Sequence, residues 1–564
     1  MRRIIYLTAI IGLFGLSGCD DFLTPDNKSS VTDTQSFATA AGFQNLSNDV
    51  YAKLKSIYSA DPDYFNDGTD MYCNGRSKIS EALHEYQTLT PENGDMKDLY
   101  TKCYDGVRAA CAVEYYADVC TMDGTQKARL IDEARTLRAH FYYLLVNTFG
   151  GVPLVNEFVT SAATGYPKAT ASEVYDYIIQ ELEDVTTAGR LEKSTATKGG
   201  GRVSLEAANA LLANVYLSAA WDLGNQDYFG KAAKKADEVI AGRKLTTPFA
   251  DLWKADRSGD DNAEFLFDVE YDYESAHTQT NGGHSQSAYF CNYLGGNEDN
   301  NKATNQAWLP TIYALTCFEK GDVRYDVTFM KELPEMKAGS DYSYYTWYEN
   351  GESLVGVSVL RYYPAWYETE EDIAAWRAED PDNRRPEDVI VIPMAEESVD
   401  PQNNNGDPKS YDEMVTQVYG GSPCRKFDDS ETASNKGSND FRDIHIFTLP
   451  EMYLVAAEAY LEADEKTNAA ARLNEVRKRA GLGDANNIDI EAILKERACE
   501  LFGQGSRWFD LRRTKTLVEH NNLYNPQLKG KAASFIGEKL LRPIPQAAID
   551  ANDQLTSADQ NPGY

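Results

Sequence analysis

Positive charge is the first thing in short supply. Only 55 Lys and Arg stand against 88 Asp and Glu, a formal net charge of −33 over 564 residues. A field of that sign repels a phosphate backbone, which excludes nucleic acid as a partner. It excludes a peripheral basic patch on an anionic membrane on the same ground. Familiar chemical motifs are missing as well. No CxxC pair occurs, and none of the six His joins cysteines at zinc spacing. HExxH, GxSxG, Walker A and GxGxxG are absent. Past the first twenty residues no run approaches about 18 consecutive apolar residues, so the body of the chain carries no helical membrane span. Usage of 42% hydrophobic and 25% charged residues excludes wholesale disorder.

What is present in excess is tyrosine: 36 Tyr, beside 21 Phe and 7 Trp. Amphipathic rings in that number point to a contact surface, together with rings that pack helices. The N-terminus carries the second signal. Met1-Arg2-Arg3 precedes an apolar run from Ile4 to Leu16. As a helix that run spans about 20 Å, short of the ~30 Å hydrocarbon core, so it reads as an export signal. Leu16-Ser17-Gly18-Cys19 resembles a bacterial lipobox. Cleavage after residue 18 would leave Cys19 first in the chain with a diacylglycerol on its thiol, and several acyl chains give lasting attachment. Residues 1–18 are thus read as a lipoprotein signal peptide and 19–36 as a polar tether. Eight further cysteines follow, at 73, 103, 111, 120, 291, 317, 424 and 499. Export permits disulfides. Most of the eight read as small buried hydrophobes, with one or two bridges whose pairing stays open.

Apolar periodicity of about 3.6 predicts helices near 41–59, 96–121, 126–148, 172–185, 204–220 and 228–241, and again near 451–463 and 468–480. Ser172 with Glu173 and Ser204 read as helix caps. Small residues at Ala207, Ala208, Ala210 and Ala213 face larger ones on the next helix, the packing logic of tetratricopeptide pairs without their strict 34-residue period. The predicted fold class is mainly α, a superhelix of helix pairs over 37–245 and 441–564. Between them, 246–440 is rich in loops and rings. It carries short strand signals at 265–271 and 389–392 and forms a minor-β insertion. Binding usually lives on such loops.

Several stretches in order resemble the SusD/RagB family of Bacteroidota outer-membrane nutrient-binding lipoproteins. They are Glu133-Ala134-Arg135 with Leu137-Arg138-Ala139-His140-Phe141-Tyr142-Tyr143, closing in Phe149-Gly150-Gly151-Val152-Pro153, then Gly201-Arg202-Val203, then Leu252-Trp253 with Glu264-Phe265-Leu266-Phe267. Leu473-Asn474-Glu475-Val476-Arg477, Gly505-Ser506-Arg507-Trp508-Phe509-Asp510-Leu511-Arg512-Arg513, Leu541-Arg542-Pro543-Ile544-Pro545 and the terminal Asn561-Pro562-Gly563-Tyr564 follow. Gly503-Gln504 departs from the family, which more often has an aromatic and an acid there. The resemblance implies a lipid-anchored protein on the outer face of the outer membrane. It implies oligosaccharide capture, a SusC-like TonB-dependent barrel as partner, and no catalysis. The rivals are peptide or glycopeptide capture, an exported glycoside hydrolase, and a surface scaffold.

A flat ring beneath a sugar's C–H face, with Asp, Asn or Arg near its hydroxyls, satisfies both halves of a carbohydrate. On the resemblance, ligand-binding groups come from the segment after the first helix and from the central loops. The candidates are Asp67, Asp70 and Tyr72, then Tyr289, Tyr293, Trp308, Tyr345 and Trp347. The charges at Glu496, Arg497, Asp510, Arg512 and Arg513 read as a structural ion-pair network. The acid-rich loop at Asp256, Asp260 and Asp261 is the candidate for a structural calcium, though its spacing is not that of an EF-hand. No cofactor is otherwise expected.

Overall fold

The computed structural model describes residues 33–564, apart from 60–62, 75–79, 161–164, 195–200, 273–282, 292–306, 335–357, 382, 393–396, 400–407, 411–421, 423 and 430–438. The N-terminal array is formed by α1 (Ala40–Tyr58), α2 (Gly94–Tyr116), α3 (Gly124–Phe149), α4 (Ala171–Ala188), α5 (Leu205–Leu223) and α6 (Gln226–Ile240). Phe43, Leu46, Val50, Leu54 and Ile57 form the buried face of α1. Full burial of such a side chain contributes about 1.5–3 kcal/mol. Local chemistry sets the helix ends. Ser204 accepts from the Ala207 amide at 3.0 Å, and α5 stops at Gly224, whose φ is 64°. For α4 the cap is Thr170 rather than the expected Ser172. Its side chain and that of Glu173 form a reciprocal capping box.

Each helix of the array packs on the next, α1 on α2 through α5 on α6. Close approach requires small residues at the seams. A Cβ on Gly106 of α2 would run into the Phe141 ring of α3. Among the short helices described in the insertion are α7 (Ile312–Thr316) and α8 (Glu370–Ala378). The C-terminal part resumes with α9 (Leu449–Glu462), α10 (Lys466–Arg479), α11 (Ile490–Glu500), α12 (Arg507–Arg513) and α13 (Leu517–Tyr524). α6 packs directly on α9, and α9 on α10. The superhelix is therefore continuous in space although the insertion divides it in sequence. No described helix is long and apolar enough to cross a membrane.

The described strands are short: β1 (Tyr72–Asn74), β2 (Phe265–Val269), β3 (Trp308–Pro310), β4 (Glu332–Pro334), β5 (Val359–Tyr362), β6 (Ile390–Val391), β7 (Glu397–Val399), β8 (Pro408–Ser410) and β9 (Ile444–Thr448). β2 pairs antiparallel with β9, so the chain leaves the array and returns to it side by side. β1 pairs antiparallel with β3, Tyr72 opposite Pro310. β4 and β5 are antiparallel, and β6 joins β5 in parallel. β7 and β8 form a separate antiparallel pair. The expected strand at 265–271 is found over 265–269, and that at 389–392 over 390–391. One hydrophobic cluster runs through the helical array. A second, with Tyr72, Phe290, Trp308, Phe318, Tyr325, Phe329, Phe427 and Phe502, lies beneath the insertion.

Candidate functional site

The insertion presents an open, polar cleft of about 820 Å³. Its walls come from β4, the end of β5, α8 and the turn that follows α8. Helix α8 starts where Thr369 and Asp372 cap each other reciprocally. That geometry presents Trp376, whose ring stacks on Tyr362 at 3.9 Å and 11°. The Arg385 guanidinium lies 4.6 Å from the same ring, and the indole Nε1 donates to Glu332 at 2.8 Å. Glu332 also pairs with Arg385 at 2.8 Å and Arg384 at 3.4 Å. Across the cleft, Glu368 takes Lys331 at 2.8 Å and the Tyr362 hydroxyl at 3.2 Å. The cleft thus offers acceptors and donors held in place by one another, on a frame of stacked rings. Such a wall suits a ligand rich in hydroxyls. Next to it in sequence, Trp366 is 44% exposed and anchored by its Nε1 to the Phe318 carbonyl at 2.8 Å.

The sequence candidates fall into two groups. Asp67, Asp70, Tyr72, Tyr289 and Trp308 come together beneath the insertion. Tyr72 lies 6.3 Å and Tyr289 4.9 Å from the Trp308 ring. Four of the five are buried, and only Tyr289 is partly open. Trp308 Nε1 donates to Asp67 Oδ1 at 2.8 Å. Arg507 donates to both oxygens of Asp70, at 2.8 and 2.5 Å, and His520 Nδ1 lies 2.8 Å from Asp70 Oδ2. Burial alone would raise the Asp70 carboxyl; Arg507 and His520 outweigh it and hold it well below the ordinary range. The Tyr72 hydroxyl accepts from the Gly503 amide at 2.8 Å. Gly503 is the family departure noted above. Its φ is 75° and a Cβ there would meet the Phe427 ring, so this packing admits only glycine. Tyr293, Tyr345, Trp347 and Cys19 lie outside the described residues.

The C-terminal charges form the expected network. Asp510 takes Arg497 at 2.8 Å and Arg513 at 2.5 Å, Arg513 reaches Glu458 at 2.5 Å, and Arg512 reaches Asp222 at 2.9 Å. Glu496 takes Arg324 at 2.7 Å. Burial would raise the Asp510 carboxyl, but Arg497 and Arg513 bring it down to about 2. These groups balance one another inside the molecule and none faces the cleft.

The acidic loop does not fit calcium. Asp260 turns inward, accepting from Arg442 at 2.6 Å and from the Asp443 amide at 3.1 Å. Asp256 is spent on its own turn, accepting from the Ser258 amide at 2.9 Å and hydroxyl at 2.6 Å. Calcium needs six to eight converging oxygens. Among the described residues no group of three or more His, Cys, Asp or Glu is placed to hold a metal.

Comparison with known proteins places this architecture. The family model described as "SusD family" matches residues 263–564, more than half of the chain. The chain belongs to the SusD family. A second model, described as "Starch-binding associating with outer membrane", matches residues 21–217. SusD-like protein P38 of Formosa agariphila is 23% identical over 536 residues, covering 90% of this chain and 91% of its own. Starch-binding protein SusD of Bacteroides thetaiotaomicron is 25% identical over 456 residues, covering 78% of this chain and 74% of its own. Among solved structures, a SusD homologue from Bacteroides thetaiotaomicron superposes with a TM-score of 0.71 at 18% identity, covering 95% of this chain and 100% of its own. Surface glycan-binding protein A from the same species, in complex with laminarihexaose, superposes with a TM-score of 0.66 at 19% identity, covering 93% and 99%. These superpositions show that the fold is that of the SusD family.

Within that fold, the cleft residues Glu332, Glu368, Arg384, Arg385 and Trp376 were not among the sequence candidates. One signal was available. Thr369-Glu370-Glu371-Asp372 is a capping pattern that announces a helix inside the loop region. Trp376, on that helix, then becomes a ring held on a rigid element.

Proposed function

We propose that this chain is a cell-surface binding protein that captures oligosaccharide and passes it to a SusC-like TonB-dependent barrel. In this reading Cys19 carries the lipid that holds it to the outer leaflet of the outer membrane. The observation that carries the reading is the open polar cleft of about 820 Å³ in the insertion of a SusD-family chain. Its carboxylates and guanidinium groups supply hydrogen bonds in both directions. The exposed Trp366 supplies a ring for a pyranose face, and we propose Tyr293, Tyr345 and Trp347 as further ligand-contacting rings. The matching family model, described as "Starch-binding associating with outer membrane", and the laminarihexaose complex of a structural neighbour support the ligand class. The cleft carboxylates Glu332 and Glu368 each face a Lys or Arg partner, which suits recognition and leaves the reading one of binding without catalysis.

The test is a glycan and peptide array probed with the soluble form beginning at Asp20, followed by calorimetry on the ligands retained. Saturable binding of an oligosaccharide class is expected. Retention of peptides alone would replace the ligand class. Binding to neither would favour a scaffold, and release of reducing ends from a bound glycan would reveal a hydrolase. Replacement of Cys19 by Ala should release the protein from sedimented membranes, and a pelleted variant would remove the anchor from the reading.

A further inference from the structure

All eight described cysteines are buried thiols, but two of them are neighbours. Cys317 caps the C-terminus of α7 in the insertion, and Cys499 lies in the last turn of α11 in the helical array. Their sulfurs are 3.4 Å apart, across a sequence separation of 182 residues. They are 3% and 2% exposed and belong to the cluster that also holds Phe318, Tyr325 and Trp308. A covalent S–S bond is about 2.05 Å, so bond formation needs an approach of little more than about 1 Å.

We propose that Cys317 and Cys499 are a disulfide site in the exported protein, covalently joining the binding insertion to the helical array. The proposal rests on the outer-membrane reading given above, because only an oxidising compartment sustains such a bond. Two thiols lose two protons and two electrons as the Sγ–Sγ bond forms. The electrons pass to the disulfide of an exported thiol oxidant, which leaves as a dithiol. The route is attack by one thiolate on that disulfide, followed by displacement of the mixed disulfide by the second thiolate. Burial pushes the Cys499 thiol well up, and the adjacent Cys317 adds to the effect. Cys499 in the folded protein is therefore a poor nucleophile, and both thiols are buried, so the exchange belongs to the folding phase, before the aromatic cluster closes over the pair. Once formed, the bridge is shielded from thiols in solution. The join falls just after β3, the strand that pairs with β1. It therefore ties that strand pair to the helical array.

The experiment takes the full chain with its leader, recovered by cell fractionation, denatures it without reductant and alkylates it. Mass spectrometry of the unreduced digest should show the Cys317 and Cys499 peptides linked, two hydrogens lighter than their sum, with neither sulfur alkylated. After reduction both should take the label. In Cys317→Ser, Cys499 should become alkylatable without reductant. Alkylation of both sulfurs in unreduced protein from the outer-membrane fraction overturns the bridge alone. The same result in protein found only in the cytoplasm overturns it together with the compartment reading. Linkage of either residue to another cysteine overturns it as well.

Discussion

Asp70 shows how much a single buried carboxylate can organise. It lies between Arg507 and His520, which come from α12 and α13, and so ties the early segment of the chain to its end. Removing one partner of such a set leaves an uncompensated buried charge. Asp70→Asn should cost about 3–5 kcal/mol of stability, read from urea unfolding. Any loss of ligand binding in that variant should track the unfolded fraction, with the affinity of the folded fraction unchanged. Glu451 behaves in the opposite sense. Burial raises its carboxyl from the ordinary 4.5 to about 7. The unfolded chain ionises it above 4.5 while the folded chain holds its proton, so stability falls as pH rises from about 4.5 to about 7 and stays reduced above that. Glu451→Gln keeps an acceptor for Asn214 and removes the ionisation. Its advantage over the wild type should grow from pH 5 to pH 8, reaching about 1–3 kcal/mol, measured as urea midpoints at the two pH values.

At the scale of elements, most of the helical array was legible. Apolar spacing marked the buried face of α1 residue by residue, and Ser204 marked the start of α5, because both signals are local. Thr170 was missed in favour of Ser172 since either hydroxyl can cap. The choice depends on which one stands three residues before an acid, as Thr170 does before Glu173. Seam glycines are less visible, because Gly106 gains its meaning from a ring on the neighbouring helix. Gly106→Ala should push α2 from α3 and cost about 1–3 kcal/mol, as overpacking does, despite the higher helix propensity of Ala. A melting temperature equal to or above that of the wild type would show that the Phe141 ring can yield. The candidate site was far less legible. Asp67 and Trp308 look like surface recognition residues in an aperiodic stretch, yet they bond to each other across 241 positions. No local pattern announces a partner that distant.

At the scale of the whole molecule, the rings divide by role. Those of the aromatic cluster beneath the insertion set its shape, while Trp366, two residues before the cleft's Glu368, is exposed. Trp366→Ala should weaken oligosaccharide binding by about 1–3 kcal/mol with an unchanged melting temperature, as expected of a ring that stacks on ligand. Calorimetry on a ligand found by array checks this. Unaltered affinity would remove Trp366 from the ligand contacts. The excess of acid in the composition has a matching division. Some acids are held inside in ion pairs, at Asp70, Glu458, Glu496 and Asp510, while the net −33 belongs to the chain as a whole, so it says little about the local character of the cleft.

The pairing of β2 with β9 has a consequence for how such chains can diversify. Because the two ends of the insertion are clamped side by side, its span is a closed loop on a fixed base. The entropic cost of closing a loop grows only with the logarithm of its length, about 0.6 kcal/mol for each doubling. Residues can be added or deleted between those strands while α6 still meets α9. The frame can therefore stay constant while the head is exchanged by lengthening or shortening one interchangeable segment.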